Sequence, residues 1–418
     1  MTETHRPART APQHAPLENF AIHHNELYLG GQPLQRLAAR VGTTPFYAYE
    51  RRALNTRVTE LRAALPAAVR LHYAMKANPM PALVAHMVGL VDGIDVASAG
   101  ELKIALDAGA DPQEISFAGP GKRAAELEQA VAAGILVNLE SAREIPLLAA
   151  ASERLGVPAR GAVRVNPDFE LKSSGMKMGG GPKQFGVDAE VVPALLSDIG
   201  AAGLQFEGFH LFAGSQNLRA DAIVEAQGKA YELALRLAEH TPAPVRSLNL
   251  GGGFGIPYFP GEQRLELAPI GAQLAHLAER AARELPHAML VLELGRYLVG
   301  EAGVYVTRVL DRKVSREQIF LVCDGGLHHH LSASGNFGQV IRKNYPVLIG
   351  NRVAADGEVP LASVVGPLCT PLDILADRMP LGHANVGDLV VILQSGAYGA
   401  SASPQHFLGH PAVVEVLV

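Results

Sequence analysis

The stretch Tyr73-Ala74-Met75-Lys76-Ala77-Asn78 places a lysine at the end of a strand-like run, where turn-forming residues follow. The run Val69–Met75 predicts a strand with at least one buried face, and Asn78-Pro79 ends it. A lysine at the end of a buried strand is costly unless its amine reaches solvent or lies in a cleft with a partner. One chemical use for such an amine is an imine with an aldehyde cofactor.

Strand-like runs recur after Lys76, and each is followed by an amphipathic segment rich in Ala, Leu and Glu. We expect strands at Gly93–Ser98, Glu114–Gly119, Ile135–Glu140, Gly161–Asn166, Phe206–Phe212, Ser247–Gly251 and Leu290–Gly295. Helices are expected at Glu101–Ala110, Ala124–Ala133, Ser141–Leu155, Ala189–Gly200, Ala220–His240 and Ile270–Glu284. Alternating strands and helices indicate a parallel α/β sheet, and about eight units suit a closed (β/α)8 barrel better than an open doubly wound sheet.

The pattern changes after the last of these strands. Residues 297–418 contain short β-like runs separated by Gly, Pro, Asn and Asp, which predicts a C-terminal, mainly antiparallel β domain. The barrel would then span residues 45–296, and residues 17–44 would supply a strand, at Ala21–Leu29, that joins the β domain. Residues 1–16 are polar and rich in Pro, Thr and His, so we expect a disordered extension rather than a signal peptide.

Composition excludes several classes of function. A net charge of -5 gives no electrostatic reason to bind nucleic acid or an anionic membrane. No apolar run approaches the roughly 20 residues of a membrane-spanning helix. Two cysteines, Cys323 and Cys369, cannot form a disulfide framework, which indicates a reducing compartment. We therefore expect a cytoplasmic globular protein that binds neither nucleic acid nor a membrane.

Polar residues concentrate where the expected strands end, which is where a (β/α)8 barrel carries its catalytic groups. They are Lys76, Asp95, Ser98, Glu140, Arg164, His210, Glu293 and Arg296. The run Gly251-Gly252-Gly253 also follows a strand, and consecutive glycines form either a tight turn or a cradle of N–H groups for an anion. This glycine run matches neither the G-x-G-x-x-G pattern of dinucleotide-binding proteins nor the Walker pattern of P-loop proteins. With an imine-forming lysine in the same barrel, the simplest ligand is pyridoxal 5'-phosphate.

These motifs resemble those of the barrel-fold pyridoxal-phosphate decarboxylases, the family of diaminopimelate, ornithine and arginine decarboxylases, whose barrel is of the alanine racemase type. The similarity covers roughly residues 45–403. Its motifs fall in the family's order at Tyr73–Asn78, Ile94–Glu101, Arg164–Pro167, Gly214–Gln216, Gly251–Gly255, Glu293–Arg296, Cys369–Asp373 and Gly396–Gly399. Several independent motifs in one order are far more specific than any one of them.

The resemblance implies a pyridoxal-phosphate-dependent carboxy-lyase. Lys76 would hold the cofactor as an imine, Glu293 would keep its pyridine nitrogen protonated, and Cys369 would return a proton after CO2 leaves. The other implied cofactor contacts are Asp95, Arg164, His210, Phe212, Ser215, Gly251, Gly252, Gly253, Gly295, Arg296 and Tyr398. Cys369 would come from a neighbouring subunit, so the resemblance also implies a head-to-tail homodimer with shared active sites.

The chain departs from the family in three places. Phe212 stands where the family has a ring-stacking histidine, so either Phe212 or His210 would face the cofactor ring. Thr370 follows Cys369 where diaminopimelate enzymes carry an acid. The segment His328–Phe337 replaces the one that offers arginine and tyrosine to a distal carboxylate. Its three adjacent histidines rarely face one ion, so we expect no metal. Candidate substrate contacts are Thr370, Asp373, His328, Asn336, Arg342 and Tyr345.

We therefore expect a decarboxylase of an L-amino acid or an amino-acyl conjugate, free or attached to a carrier, similar to a divergent branch found in secondary-metabolite and exopolysaccharide systems. Three alternatives stay open at this point. One is a true meso-diaminopimelate decarboxylase of lysine biosynthesis. Another is an amino-acid racemase on the same fold, which Glu293 and Cys369 argue against. The last is a non-catalytic pyridoxal-phosphate-binding protein, which the extra β domain argues against.

Overall fold

A computed structural model describes residues 12–169, 176–177, 179–339, 342–355 and 357–418 of the chain. Its centre is a barrel of eight parallel strands, in which the last strand pairs with the first. In chain order the strands are Val69–Ala74, Gly93–Val96, Ile115–Phe117, Leu136–Leu139, Arg160–Asn166, Gln205–Leu211, Ser247–Gly252 and Met289–Leu294. The predicted (β/α)8 barrel is confirmed, and the open doubly wound sheet is wrong.

Helices cover the outside of the barrel because each presents an apolar face to the strands. They are Arg51–Ala64, Pro81–Val88, Ala99–Asp107, Ala124–Ala133, Glu144–Leu155, Val192–Ala201, Ala220–Ala238 and Ala268–Glu284. Helix Ala124–Ala133, for example, buries Leu127, Ala130 and Val131 and ends at Gly134, whose φ of 71° is left-handed. Helix Ala99–Asp107 begins at Ser98, whose side chain accepts a hydrogen bond from the Glu101 N–H at 3.1 Å.

The barrel interior is partly polar, and its polar groups satisfy one another. His72 Nδ1 lies 3.1 Å from Asp95 Oδ1, and the same oxygen accepts a hydrogen bond from the Ser116 hydroxyl at 2.5 Å. The Asn138 amide donates to Ser116 Oγ at 3.2 Å. Burial opposes protonation of His72, but Asp95 raises the pKa of the imidazole above its ordinary value. This chain of contacts ties four neighbouring strands together beneath the strand ends.

One glycine permits two barrel strands to approach closely. Gly208 adopts φ +151°, and a Cβ at this position would lie 1.8 Å from the Ser247 carbonyl oxygen. The strand register also shifts between Phe206 and Gly208, where a bulge interrupts the pairing with the preceding barrel strand. The bulge and the close approach set the direction in which the strand delivers His210 to the rim.

The second domain is an eight-stranded, mostly antiparallel sheet, as predicted. Its strands are Phe46–Tyr49, Gly303–Ser315, Gln318–Cys323, Val347–Ile349, Ala362–Val365, Ile374–Met379, Leu389–Ile392 and Val414–Leu417. Two pairings are parallel, those of Gln318–Cys323 with Ala362–Val365 and of Val414–Leu417 with Phe46–Tyr49. The strand Ile374–Met379 escaped prediction because Asp377 and Arg378 interrupt its apolar pattern.

The N-terminal strand of this sheet differs from the one that was expected. The segment predicted to supply it, Ala21–Leu29, instead contributes to a separate three-stranded sheet, formed by Ile22–His23, Glu26–Leu29 and Gln32–Pro33. The strand that joins the β domain is Phe46–Tyr49, which lies inside the residues assigned to the barrel. All four of its residues are buried, so it lacks the alternation that marks a half-exposed strand.

The chain N-terminus spans both domains where the structure describes it. Residues 1–11 of the predicted disordered extension lie outside the described residues. Further on, the Gln13 carbonyl accepts a hydrogen bond from the Gly261 N–H at 2.8 Å, and His14 Nε2 lies 2.9 Å from the Asn344 carbonyl. Separately, none of the helices in the described ranges is long and apolar enough to cross a membrane.

Candidate active site

Lys76 lies in a single 3-10 turn, Met75–Ala77, directly after the first barrel strand. Met75 and Ala77 point into the core, whereas the Lys76 side chain is exposed at the rim. Its Nζ lies 5.5 Å from the ring centroid of Phe212, which directly follows the sixth barrel strand. The turn therefore presents the amine over the barrel mouth with an aromatic face beside it.

The β domain holds this turn in place. Asn78 donates through Nδ2 to the Gly396 carbonyl at 2.9 Å, and the Tyr398 N–H donates to the Ala77 carbonyl at 2.7 Å. Tyr398 adopts φ 53°, an unusual conformation for a residue other than glycine, and its ring reaches the barrel rim. The loop Gly396–Tyr398 thus joins the second domain to the residues that flank Lys76.

Glu293 is a buried carboxylate at the end of the eighth strand. Its Oε2 lies 2.9 Å from His210 Nε2, an ion-pair distance, although neither ring nitrogen of His210 makes an aligned hydrogen bond within the described residues. The Asn249 amide donates to the same oxygen at 3.4 Å. Burial opposes ionisation, but the proximity of His210, with the charges of Lys76 and Arg164, holds the pKa of Glu293 well below its usual range.

The glycine run at the end of the seventh strand forms a cradle that side chains cannot enter. Gly251 and Gly253 adopt φ +69° and +74°. A Cβ on Gly252 would lie 2.1 Å from the Glu293 carbonyl oxygen, and one on Gly253 would lie 2.1 Å from that of Gly214. The Gly251 N–H donates to Asn249 Oδ1 at 2.8 Å, which fixes the start of the run. Such a concave glycine backbone suits a phosphate group.

Arg296 supplies a cation beside this cradle. Its Nη1 donates to the Tyr258 hydroxyl at 3.0 Å, and its Cζ lies 4.6 Å from the ring centroid of Tyr398. Its Nε is buried and has no hydrogen-bond partner among the described residues. A buried guanidinium with a free N–H is costly unless an anion completes it.

Contacts within the barrel also fix two further predicted cofactor contacts, Arg164 and Asp95. Arg164 Nη1 donates to Glu140 Oε1 at 2.9 Å, and Glu140 accepts the Gly119 and Gly186 N–H groups at 2.5 and 3.0 Å. Burial opposes the charge on Glu140, but Arg164 and Lys122 lower its pKa. Asp95, held by His72 and Ser116, keeps its Oδ2 buried and without a partner in the described residues.

The residues predicted to bind substrate have other partners. Asp373 accepts the Leu327 and Leu368 N–H groups at 2.6 and 2.9 Å, and burial raises its pKa. Cys369 is exposed on the same loop, and Thr370 Oγ1 accepts the Leu372 N–H at 3.3 Å. Asp373 therefore holds the cysteine loop in shape.

The three histidines are packed into the β domain. His330 Nε2 lies 2.8 Å from Ser395 Oγ, and His329 Nε2 lies 2.9 Å from the Pro411 carbonyl. His328 is fully buried and stacks on His329 with ring centroids 3.7 Å apart. Burial lowers the pKa of His328 and of His330 to about 3, so both rings are neutral at physiological pH. Within the described ranges, no group of three or more His, Cys, Asp or Glu is arranged to hold a metal.

Asn249 and Tyr258 contact predicted site residues, although they were not assigned to the site from the sequence, whereas Glu140 was named only as a polar residue at a strand end. Asn249 immediately precedes the glycine run, and Glu140 stands at a strand end, so both carried a signal. Tyr258 lies in a loop beyond the glycine run, and nothing in its sequence context indicated that it meets Arg296.

Comparison with known proteins agrees with this geometry. Residues 51–300 match the family model for the pyridoxal-dependent decarboxylase, pyridoxal binding domain. The chain belongs to the pyridoxal-dependent decarboxylase family.

It is 38% identical to the L-glutamyl-[BtrI acyl-carrier protein] decarboxylase of Niallia circulans, over 90% of this chain and 88% of that protein. It is 34% identical to the diaminopimelate decarboxylase of Aquifex aeolicus, over 94% and 90% of the two chains. Diaminopimelate decarboxylase from M. jannaschii, solved with L-lysine, superposes with a TM-score of 0.85 at 25% identity, over 96% and 93%.

The protein is therefore an amino-acid or amino-acyl-conjugate decarboxylase that uses pyridoxal phosphate. The residues present fit that cofactor. The run Gly251–Gly253 is restricted to glycine because neighbouring backbone occupies each Cβ position, and Arg296, which follows the paired eighth strand, has a buried Nε without a partner among the described residues. Glu293 is a buried carboxylate of lowered pKa, and Lys76 offers an exposed amine on the same rim.

Replacing Lys76 with alanine should remove the covalent attachment of the cofactor. The wild-type protein should be yellow and should retain the cofactor after borohydride reduction, because the amine at the barrel mouth is the group that bonds it. Mass spectrometry of reduced, digested protein measures the adduct. Lys103→Ala, at an exposed helix position, is the control and should behave as wild type. A reducible adduct in Lys76→Ala would refute the assignment.

Replacing Glu293 with glutamine should abolish most activity while cofactor binding persists. A neutral amide cannot hold a proton on the pyridine nitrogen, and each lost pKa unit corresponds to about 1.4 kcal/mol. We expect a decrease in kcat of more than about 100-fold with an unchanged amount of bound cofactor, measured by CO2 release and absorbance. Glu232→Gln, at an exposed helix site, serves as the control. Turnover close to wild type would remove Glu293 from the mechanism.

Proposed function

We propose that this decarboxylase acts on an L-amino acid whose distal end is joined to another group through an amide or a thioester. The observation that carries the proposal is the position of Arg342, the cation nearest to the rebuilt segment His328–Phe337. Its guanidinium donates to the backbone carbonyls of Ser334 and Ile374, the latter at 2.8 Å. Burial lowers its pKa, and its Nε is buried without a partner in the described part of the chain.

Arg342 is therefore occupied in fastening the segment to the strand Ile374–Met379. An arginine whose two terminal nitrogens both donate to backbone carbonyls has a fixed position, so it cannot swing toward a substrate carboxylate without releasing them. This role differs from that of a cation held ready for a distal acid.

The segment itself offers neutral hydrogen-bonding groups. Ser332 Oγ donates to the Tyr398 carbonyl at 2.9 Å, and Asn336 Nδ2 reaches Ser334 Oγ at 2.9 Å and the Leu372 carbonyl at 3.3 Å. These contacts place it between Tyr398 at the barrel rim and the loop that carries Cys369. A free carboxylate beside these groups would meet only neutral hydrogen-bonding partners, whereas an amide or thioester carbonyl needs only neutral donors.

The two relatives reported above differ in the kind of substrate for which they are named. The Niallia circulans protein is named for a glutamyl group on an acyl-carrier protein, and the Aquifex aeolicus protein for diaminopimelate. The occupied guanidinium and the neutral segment favour the first kind of substrate for this chain. We therefore place it among enzymes of conjugated amino acids rather than in lysine biosynthesis.

The residues at the rim would divide the reaction between them. When bound, pyridoxal phosphate accepts the electrons that the departing carboxylate leaves behind. Lys76 would hold it in place, and Arg296 with the Gly251–Gly253 cradle would bind its phosphate. Glu293 would keep the proton on the pyridine nitrogen, and the Cys369 thiol would return a proton to the α-carbon of the product.

We also propose that Cys369 serves the active site of a second copy of the chain. Cys369 is exposed, and exposed apolar side chains lie on nearby loops, including Phe337 at 48% and Leu372 at 59%. Asn336, next to Phe337, hydrogen-bonds the Leu372 carbonyl, so both apolar groups belong to one face. An exposed apolar face of this kind is typical of a subunit interface. A head-to-tail dimer would place it over the partner's barrel mouth.

Substrate comparison tests the proposed linkage. Free meso-diaminopimelate, lysine, ornithine, arginine and glutamate should be decarboxylated with kcat/KM at least about 100-fold below that of glutamyl amides or thioesters, because a free distal charge would lie unpaired. CO2 release measures each rate. Arg342→Met should lower the rates for acids and conjugates alike. Efficient turnover of meso-diaminopimelate, or a loss in Arg342→Met confined to acids, would contradict the proposal.

Mixing two inactive variants tests the shared site. Lys76→Ala and Cys369→Ala homodimers should each be inactive, whereas subunit exchange should restore about a quarter of wild-type activity, because half of the dimers are mixed and each contains one intact site. Differently tagged subunits confirm that exchange has occurred. In the control experiment, Lys76→Ala subunits are exchanged with Cys323→Ala subunits, in which the substituted cysteine is the buried one. If exchanged dimers stay inactive, Cys369 does not act across an interface.

A further inference from the structure

Four side chains form a continuous stack beside the glycine cradle, which we name the Arg296 stack: Tyr345, Tyr258, Arg296 and Tyr398. The Tyr345 and Tyr258 rings lie 4.5 Å apart at 35°. The Arg296 Cζ lies 5.5 Å from the Tyr258 ring centroid and 4.6 Å from that of Tyr398. Arg296 and Tyr258 belong to the barrel, whereas Tyr345 and Tyr398 belong to the β domain.

The stack holds Arg296 without neutralising it. Tyr258 and Tyr345 are 3% and 4% exposed, and burial raises the pKa of both, so both hydroxyls stay protonated and neutral. The Tyr258 oxygen accepts from Arg296 Nη1 at 3.0 Å. Among the described residues no carboxylate forms an ion pair with Arg296, in contrast to Arg164, which Glu140 pairs. The neutral Tyr258 hydroxyl therefore orients the Arg296 guanidinium without neutralising it, so the positive charge remains available to an anionic ligand.

The loops that carry the two tyrosines are themselves fixed. Glu262 accepts the Tyr258 and Phe259 N–H groups at 2.9 and 3.0 Å. Asn344, next to Tyr345, exchanges two hydrogen bonds with the Asp377 backbone, at 2.7 and 2.9 Å. The tyrosines are therefore held in place before any ligand arrives, and preorganisation of this kind lowers the free-energy cost of binding.

We infer that Tyr258 and Tyr345 are positioning residues that hold Arg296 as an unpaired cation for the cofactor phosphate. Through Tyr345 the β domain completes the phosphate site of its own barrel. The inference rests on the proposed role of Arg296 in phosphate binding. Tyr258 orients the guanidinium by its hydroxyl and its ring, and Tyr345 packs against the Tyr258 ring.

Comparing pyridoxal phosphate with pyridoxal, which lacks the phosphate, isolates this role without any substrate. The cofactor-free protein is titrated with each compound by absorbance and fluorescence. Tyr258→Phe keeps the ring and removes the hydroxyl, so it should weaken pyridoxal phosphate about 10-fold while pyridoxal affinity stays unchanged. Tyr345→Leu should show the same selective loss. Tyr231→Phe, which removes a hydroxyl bonded to Glu284 at 3.0 Å on the barrel exterior, is the control and should change neither affinity.

A double-mutant cycle assigns the effect to Arg296. In an Arg296→Met background, Tyr258→Phe should cause no further loss of pyridoxal phosphate affinity, because the group it positions is gone. Equal losses for both compounds, or losses that add fully in the Arg296→Met background, would overturn the inference. If Arg296→Met itself does not distinguish the two compounds, the phosphate role of Arg296 fails, and the inference fails with it. The substrate comparison is independent of all of these results.

Discussion

The pairing of Met289–Leu294 with Val69–Ala74 is the contact on which the rest of the structure depends. It closes the barrel, and it brings the end of the last strand beside the end of the first. Glu293 and Arg296 thereby come to the same rim as Lys76, although the chain between them contains most of the barrel. Because all eight strands are parallel, every strand end faces this rim, and the loops of the β domain pack against it.

The described charges at the rim differ in whether a group of opposite charge pairs with them. Arg164 is paired with Glu140, and Glu293 lies at ion-pair distance from His210. Arg296 differs, since its hydrogen-bond partner in the described residues is a neutral phenol. Buried charges are costly unless compensated, so the distribution of partners shows which groups complete one another within the protein, and it is the reason for proposing that Arg296 binds a ligand. Arg342 differs from Arg296 in that both of its terminal nitrogens donate to backbone carbonyls, which fix the guanidinium in place.

Most of the barrel was predictable because its residues alternate between two clear local patterns. Strand bounds agreed closely, as at Leu290–Gly295 against Met289–Leu294, and helix Ala124–Ala133 was predicted with its observed ends. Prediction failed where local pattern and tertiary pairing disagreed. Phe46–Tyr49 is buried on both faces, so its sequence has no alternation, and its membership of the β domain depends on pairing with the distant strand Gly303–Ser315. Ile374–Met379 carries charged residues that only its place at the edge of a sheet explains.

By itself, the sequence determined the barrel, the β domain and the polar residues at the strand ends, because hydrophobic periodicity and turn residues are local properties of the chain. Tertiary structure alone decided what those residues touch. That Asp373 holds backbone N–H groups, that the histidines are neutral and packed, and that Tyr345 from one domain packs on Tyr258 in the other are consequences of long-range packing. Such contacts join residues far apart in sequence, and their burial sets the charge states, so no local pattern encodes them.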